Sequence, residues 1–422
     1  MRKKLLVTIA VLFISAGSIF SNGLSLNSIG SRSLGMGGSF VGLANDYTAI
    51  YWNPAGIGQL KGNYLGLFST DVIPVGTYKI SALGIDAKTK TNHYISPNVM
   101  GYLSFAPATN LTVALGVYVP AGLGSEWNGK DLLKLSSNTE VEWMSKIGVI
   151  NISPAVAYKF SENFSVGASF NIFYGMFDLK RPAPVTKTFA AQYSESSTGF
   201  GYGVTLGALY KINEMISLGA SFRTKTNVTM NGTAKNPGMA LIPGLNAPTE
   251  SDFDRDVAWP LWIGGGVAFH PMANWVITAD AQYSQWSKSE DQFTATFKDP
   301  KWMTALSSTG QNVFVLKWKD ATQIRFGTEY QLNESLALRG GYYIDPAPAP
   351  DETYNILFPS ISYNALTIGA GYKVSNLTFD LGFEYLIGKD RTINLQLAPG
   401  MVVPTTNGMN ITSVSFGVGY GF

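Results

Sequence analysis

Apolar and polar residues alternate with a period of two through much of this chain. In the final segment Thr412, Val414, Phe416, Val418, Tyr420 and Phe422 alternate with Ser413, Ser415, Gly417, Gly419 and Gly421. In NLTFDLGFEYL, Leu377, Phe379, Leu381, Phe383 and Tyr385 share one face, and Thr378, Asp380, Gly382 and Glu384 the other. In TGFGYGVTLGALYK, Phe200, Tyr202, Val204, Leu206, Ala208 and Tyr210 oppose Gly201, Gly203, Thr205 and Gly207. Successive side chains of a β-strand point to opposite faces, so each segment predicts a strand with one apolar face and one small or polar face. Many run to about 10 residues or more. Globular strands average ~5–6, whereas a tilted strand needs ~9–11 to cross a bilayer.

The connections are asymmetric. Short turns fall at Pro107 to Asn110, Ser161 to Asn163, Asn213 to Met215, Pro271 to Ala273, Asn333 to Glu334 and Ser375 to Asn376. They are rich in the asparagine, proline and serine that suit tight turns. Long polar stretches lie between them: Asp71 to Ser96, Ala121 to Lys146, Arg181 to Ser197, Gly232 to Trp259, Ser287 to Asp320, Pro346 to Ser360 and Lys389 to Asn410. Short turns at one end and long loops at the other characterise outer-membrane barrels. The expected fold is all-β: a transmembrane antiparallel β-barrel of about 14 strands, the first near Asn63 to Thr70. Closure satisfies the backbone in a solvent that offers no partners and leaves no edge. Tyr158, Trp275, Tyr283, Tyr372, Tyr385 and Phe422 stand near strand ends, where interfacial aromatic belts form.

Residues 1–21 read as a cleaved export signal. Arg2, Lys3 and Lys4 precede the apolar run Leu5 to Ile14, which is too short for a spanning helix, and small residues follow. There is no cysteine, so disulfide and thiolate chemistry are excluded. The formal charge of +2 argues against a nucleic-acid partner. His93 and His270 are isolated, and GVGYGF and GMGGSF do not open a helix in a βαβ unit, so no enzyme, metal site or cofactor is expected. An aromatic-rich, exported, cysteine-free chain points to the outer membrane of a Gram-negative bacterium. There outer-membrane lipid and lipopolysaccharide would surround it. Residues 22–60 contain too much glycine and proline for a good strand. With Gly35, Gly37, Gly38, Ala44 and Gly56 they suit close packing inside the lumen of a barrel over 61–422, as a plug.

LGMGGSFVGLANDYTAIYWNPAG resembles the N-terminal hatch of the FadL family of outer-membrane transporters for long-chain fatty acids and other hydrophobic compounds. VALGVYVPAGLGSEW is similar to the third strand and following loop of that family, INISPAVAYKFSENFSVGASFNIFYG to the next hairpin, and WKDATQIRFGTEYQLNESLALRGGYYIDPAPAP to a late hairpin with an Asp-Pro-rich loop. The resemblance implies capture of a hydrophobic ligand on an apolar loop, transfer to a site in the barrel, hatch movement, and passive sideways exit beside a kinked third strand. It makes Asn53, Pro54 and Ala55 the hatch gate lying against that kink, and Leu111 to Val119, ending at Pro120, the kinked strand. A plain turn is the alternative for Asn53-Pro54-Ala55. The terminal Phe422 resembles the aromatic C-terminus by which barrel assembly machinery recognises its clients. A monomer is expected.

The residues add candidates of their own. Leu123, Trp127, Leu132, Leu133, Leu135, Trp143 and Met144 crowd one stretch, forming either a capture surface for a greasy ligand or a capping mini-core over the barrel mouth. Alternation points Arg223, Arg325, Arg339 and Lys373 inward with Asp280, Glu329, Asp380 and Glu384. The cations are candidates for holding a ligand carboxylate, or members of a ladder of lumen ion pairs. A general diffusion porin, which needs an open, water-filled lumen, and a structural or adhesive barrel are the alternative functions.

Overall fold

The computed structural model describes residues 23–289, 291–398 and 400–422. The expected export signal lies outside the described residues. Fourteen antiparallel strands close into a barrel. The first half comprises β1 (Asn63–Ile80), β2 (Tyr94–Ser104), β3 (Leu111–Trp127), β4 (Trp143–Ser161), β5 (Phe164–Thr186), β6 (Phe189–Asn213) and β7, broken into Ile216–Arg223 and Thr226–Lys235. The second half comprises β8, broken into Glu250–Trp259 and Trp262–Met272, then β9 (Trp275–Ser284), β10 (Ala321–Gln331), β11 (Leu336–Asp345), β12 (Tyr363–Val374), β13 (Leu377–Gly388) and β14 (Met401–Gly421). Neighbours in sequence pair with each other. β14 also pairs with β1 from Tyr64↔Gly421 to Lys79↔Thr406, which removes the last edge. No described helix is long and apolar enough to cross a membrane.

The lower part of the wall is an inside-out protein. Leu67, Leu115, Ile368, Leu381 and Phe416 are exposed to the outside, as a hydrocarbon-facing band requires. Above this band the pattern reverses. On β7 and β8, Val228, Met230, Phe253 and Val257 are buried inside, while Thr229, Asn231 and Thr233 donate outward hydrogen bonds to Asp256, Asp254 and Asp252. Much of what sequence assigned to long loops is therefore strand. β5 and β6 run for 23 and 25 residues, so Arg181 to Ser197 is mostly a hairpin turning at Lys187-Thr188. Asp71 to Ser96 and Lys389 to Asn410 likewise contain strand extensions, including Ile85–Lys88 and Arg391–Ala398.

The interior is filled at two levels. Residues 23–60 occupy the lower lumen with α1 (Ser31–Gly35), α2 (Ala49–Trp52) and a 3-10 turn (Pro54–Gln59). Phe40, Ile50, Trp52 and Ile57 form the apolar centre of this plug against inward residues such as Met100 and Ala268. Inward wall groups satisfy plug backbone that helix and sheet leave unpaired. Asp280 accepts from Val41 N at 2.8 Å, while Ser217 Oγ, Thr367 Oγ1 and Ser165 Oγ donate to the carbonyls of Gly42, Gly35 and Ala55 at 2.8–3.0 Å. The upper lumen is closed by a second apolar core. It includes Phe177, Trp259, Trp286, Phe293, Trp302 and Phe358, several of them from the connection that carries α3 (Pro300–Ser308).

Candidate functional site

Three strands lose register at one level of the barrel. β3 bulges between Tyr118 and Ala121, β7 breaks at Thr224-Lys225, and β8 breaks at Pro260-Leu261. At each break the inward face changes parity. Ala114 and Tyr118 are buried below the β3 bulge, and Ala121, Ser125 and Trp127 above it. A one-residue slip moves every later side chain to the other face, so these breaks are where the lumen switches from polar to apolar. They surround one narrow cavity. Tyr118, Pro120, Thr224, Thr226, Trp259 and Pro260 line it, with Arg223 and Arg325.

The two arginines share their donors between plug and cavity. Arg223 Nη2 donates to Tyr51 O at 2.9 Å, and its guanidinium lies between the rings of Tyr51 and Trp262, 4.4 and 4.8 Å from their centroids. Arg325 Nη1 donates to Gly37 O at 2.8 Å and Nη2 to Gln323 Oε1 at 2.8 Å, with its guanidinium 4.2 Å from the Tyr343 ring centre. Among the described residues neither forms an ion pair with a carboxylate. Asp280, which faces Arg325 across the ladder, is turned to the plug backbone instead. The cavity also holds the unsatisfied Thr226 Oγ1 and Trp259 Nε1.

The other two sequence candidates lie elsewhere. Arg339 joins Glu329 and Asp380 at 2.6 Å each, and Glu329 also accepts from plug residue Arg32, from Nε and Nη2 at 2.8 Å each. Arg32 also reaches Asp46 at 3.1 Å. This chain of alternating charges fastens plug to wall at the end with the short turns, where Lys373 is exposed. Glu384 is occupied by Tyr343 Oη at 2.7 Å and Ser413 Oγ at 3.0 Å. The four cations thus divide into a cavity pair and a mouth pair. Arg32 escaped sequence reasoning, although it is an isolated charge in a run of small residues.

Between β2 and β3 the wall is incomplete. Their ladder runs only from Ser104↔Thr112 to Val99↔Val117. Just above it, Asn98 Oδ1 accepts from Val119 N at 2.8 Å in place of a backbone carbonyl. At the top the segment leading into β2 meets β3, where Lys90 N donates to Glu126 O at 2.7 Å and Lys90 Nζ and Asn92 Nδ2 reach the Glu126 carboxylate. In the interval Tyr94 to Asn98 of β2 stands unpaired with Val119 to Ser125 of β3. From inside, Leu26 N donates to Pro120 O at 3.0 Å and Gly122 N to Leu24 O at 3.1 Å. The kinked strand therefore does not end at Pro120 but continues to Trp127.

Asn53-Pro54-Ala55 does not lie against that kink. Asn53 Nδ2 donates to Val41 O and Ala208 O at 3.1 and 3.0 Å, and Oδ1 accepts from Ala55 N at 3.2 Å. A Cβ on Gly167 of β5 would overlap Pro54, and one on Gly207 of β6 would overlap Asn53. The small faces of β5 and β6 are the seat of this turn. The kink is met by α2, whose Tyr51 ring stands edge-on to Tyr118 at 5.7 Å. The apolar stretch after the kink folds as a mini-core at the upper rim. Trp127 and Leu132 are buried there with Tyr78, Ile80 and Ile356, and Trp127 Nε1 donates to Ile356 O at 3.0 Å. Burial pushes the Tyr78 phenol up to about 12. Leu133, Trp143 and Met144 are half-buried, and the Leu123 side chain lies outside the described residues.

Comparison with known proteins agrees with this geometry. Residues 12–420 match the family described as outer membrane protein transport protein (OMPP1/FadL/TodX). The chain is 21% identical to the long-chain fatty acid transport protein of Escherichia coli K12, covering 92% of each, and 23% identical to outer membrane protein P1 of Haemophilus influenzae, covering 84% of each. Among solved structures, a Pseudomonas aeruginosa FadL homologue superposes with a TM-score of 0.79 at 15% identity, covering 95% of this chain and all of the other. The Pseudomonas putida toluene transporter TodX gives 0.73 at 19% identity, covering 94% and 99%. The structural likenesses show the shared fold, and the match along nearly the whole sequence shows that the chain belongs to the OMPP1/FadL/TodX family of outer-membrane transport proteins.

Proposed function

We propose that this barrel takes up hydrophobic compounds carrying an acidic head, long-chain fatty acids first among them, by passive diffusion gated by the plug, with sideways exit through the gap between β2 and β3. The carrying observation is the cavity at the strand breaks. It presents Arg223 and Arg325 free of ion-pair partners beside Tyr118 and Pro120, at the edge of that gap. A carboxylate placed there would receive charge-assisted hydrogen bonds, while its chain would follow the aromatic and apolar lining. The names of relatives include carriers of both fatty acids and toluene. The arginines favour the acid, because a carboxylate would give these guanidiniums, bonded so far to neutral oxygens, a charged partner that a neutral hydrocarbon cannot supply. In this reading Asn53, Pro54 and Ala55 fix the hatch to the wall, and the rim mini-core around Trp127 and Leu132 receives the incoming ligand.

The test is native mass spectrometry of the protein purified in mild detergent, with released small molecules identified, beside conductance in planar bilayers. A stoichiometric fatty acid, lost in Arg223→Gln together with Arg325→Gln, supports the reading. A bound neutral hydrocarbon would remove the acid head from it. An empty barrel that conducts ions freely would replace it with the porin.

A further inference from the structure

Gly124 stands in β3 opposite the unpaired part of β2, and its backbone does not have the positive φ that favours glycine. Space is what requires glycine there. A Cβ on Gly124 would overlap the hydroxyl end of the Tyr94 ring. Tyr94 is the first residue of β2, and it crosses the gap to lie on Gly124. The gap has a fixed frame. Asn98 bonded to Val119 N limits it below, and the contacts of Lys90 and Asn92 with Glu126 limit it above. Within that frame Pro97 and Pro120 bring no backbone N–H, so neither proline can help close the ladder. Residues 24–26 of the plug cover the β3 edge at Pro120 and Gly122 from inside, and the ring of Tyr94 is the side chain of the wall itself that spans the interval.

Below the frame, on the lipid-facing side, lies an apolar groove lined by Leu65, Val99, Leu103, Val113, Leu115 and Val117. It begins at the Val99↔Val117 rung, where the ladder resumes. A compound leaving at the lower limit of the gap, at the upper edge of the apolar band, meets this groove next.

We propose that Tyr94, seated on Gly124, is the exit gate and sets the bulk of the compound that can leave. This rests on the sideways-exit reading. Tyr94 is a specificity-determining residue for exit, distinct from the arginines that hold the head group. A linear chain passes when the ring swings off Gly124, and a wide ring system needs the ring gone.

The experiment measures uptake of radiolabelled oleate and of pyrene-dodecanoate by cells making the full chain, with folding checked by heat-modifiable migration of the barrel. Tyr94→Ala removes the ring, Gly124→Ala unseats it, and Tyr94→Phe keeps it. The first two are expected to raise the pyrene-to-oleate uptake ratio several-fold, and Tyr94→Phe to leave it unchanged. Gly122→Trp tests the exit itself. Gly122 lies on the outer face opposite Gly148, and a Cβ there meets nothing nearer than Ile147 O at 3.7 Å, so an indole can cover the outer side of the gap without displacing the wall, and uptake of both probes is expected to stop. If Gly122→Trp blocks both probes while Tyr94→Ala and Gly124→Ala leave the ratio at the wild-type value, the gate is overturned and the sideways exit stands. If folded Gly122→Trp takes up both probes normally, the exit reading falls and the gate with it.

Discussion

Single residues hold the plug in this barrel, and they do so unequally. Asn53 Nδ2 donates both hydrogens, one to the plug and one to β6, and Oδ1 accepts from Ala55 N, although only its place before Pro54 was visible in sequence. Asn53→Ala removes the bonds to Val41 O and Ala208 O and leaves the buried Val41 carbonyl without its side-chain donor, a cost of about 1–3 kcal/mol. The expected result is faster hydrogen exchange over residues 49–60 with unchanged barrel migration; unchanged protection there would show that the turn is held by packing alone. Glu329 and Arg32 give a second comparison. Arg32→Ala leaves the Glu329–Arg339–Asp380 chain intact, whereas Glu329→Gln leaves two guanidiniums facing one another without the carboxylate between them. Glu329→Gln is therefore expected to loosen α1 more than Arg32→Ala, by hydrogen exchange over residues 31–36. Equal loosening would mean that the shared carboxylate adds nothing beyond one ion pair. The inward direction of these charges was legible from alternation. Their partners were not, because the partners come from residues 280–380 on one side and from the plug on the other.

At the level of elements, period-two alternation predicted the membrane-spanning parts of strands and missed their upper halves. Its signal is strongest where lipid demands an apolar outer face. Above the membrane water demands the opposite, and the parity change at Pro120, Thr224-Lys225 and Pro260-Leu261 breaks the pattern that a reader of sequence follows. The two faces of one strand can be tested against each other. Leu381 faces outward, and Leu381→Arg should cost roughly 2–4 kcal/mol near the bilayer midplane. Gly382 faces the plug, and a Cβ there would stand 2.6 Å from Ser31 O. Gly382→Val should therefore dislodge α1, exposing residues 31–36 to protease, while the folded barrel in lipid resists urea nearly as the wild type does. The same urea midpoint for both variants would contradict the assignment of faces. The small faces of β5 and β6, with Gly167 and Gly207, were plain in the sequence; that they cradle Asn53-Pro54 was not.

As a whole, the molecule is a closed ladder around two fillings, a polar-anchored plug below and an apolar core above. Closure through β1 and β14 does not use residues 23–60, so a chain lacking them should still assemble and migrate as a heat-modifiable barrel. It should also conduct more in planar bilayers than the intact chain. No rise in conductance would assign the seal to the upper core of Trp259, Trp286 and Phe358. Sequence by itself determined the all-β class, the approximate strand number, the short-turn end, the lipid-facing side of the strands and the inward direction of the charged residues. Those properties follow from a two-residue repeat and from what hydrocarbon tolerates, both of which are local. Tertiary structure alone decided that Arg223 and Arg325 share the cavity at the strand breaks while Arg339 and Lys373 line the short-turn mouth, that the ladder is interrupted between β2 and β3, and that Tyr94 rests on Gly124. Each of these depends on register between strands and on the path of the plug, which are fixed by contacts between residues distant in sequence and leave no periodic trace along it.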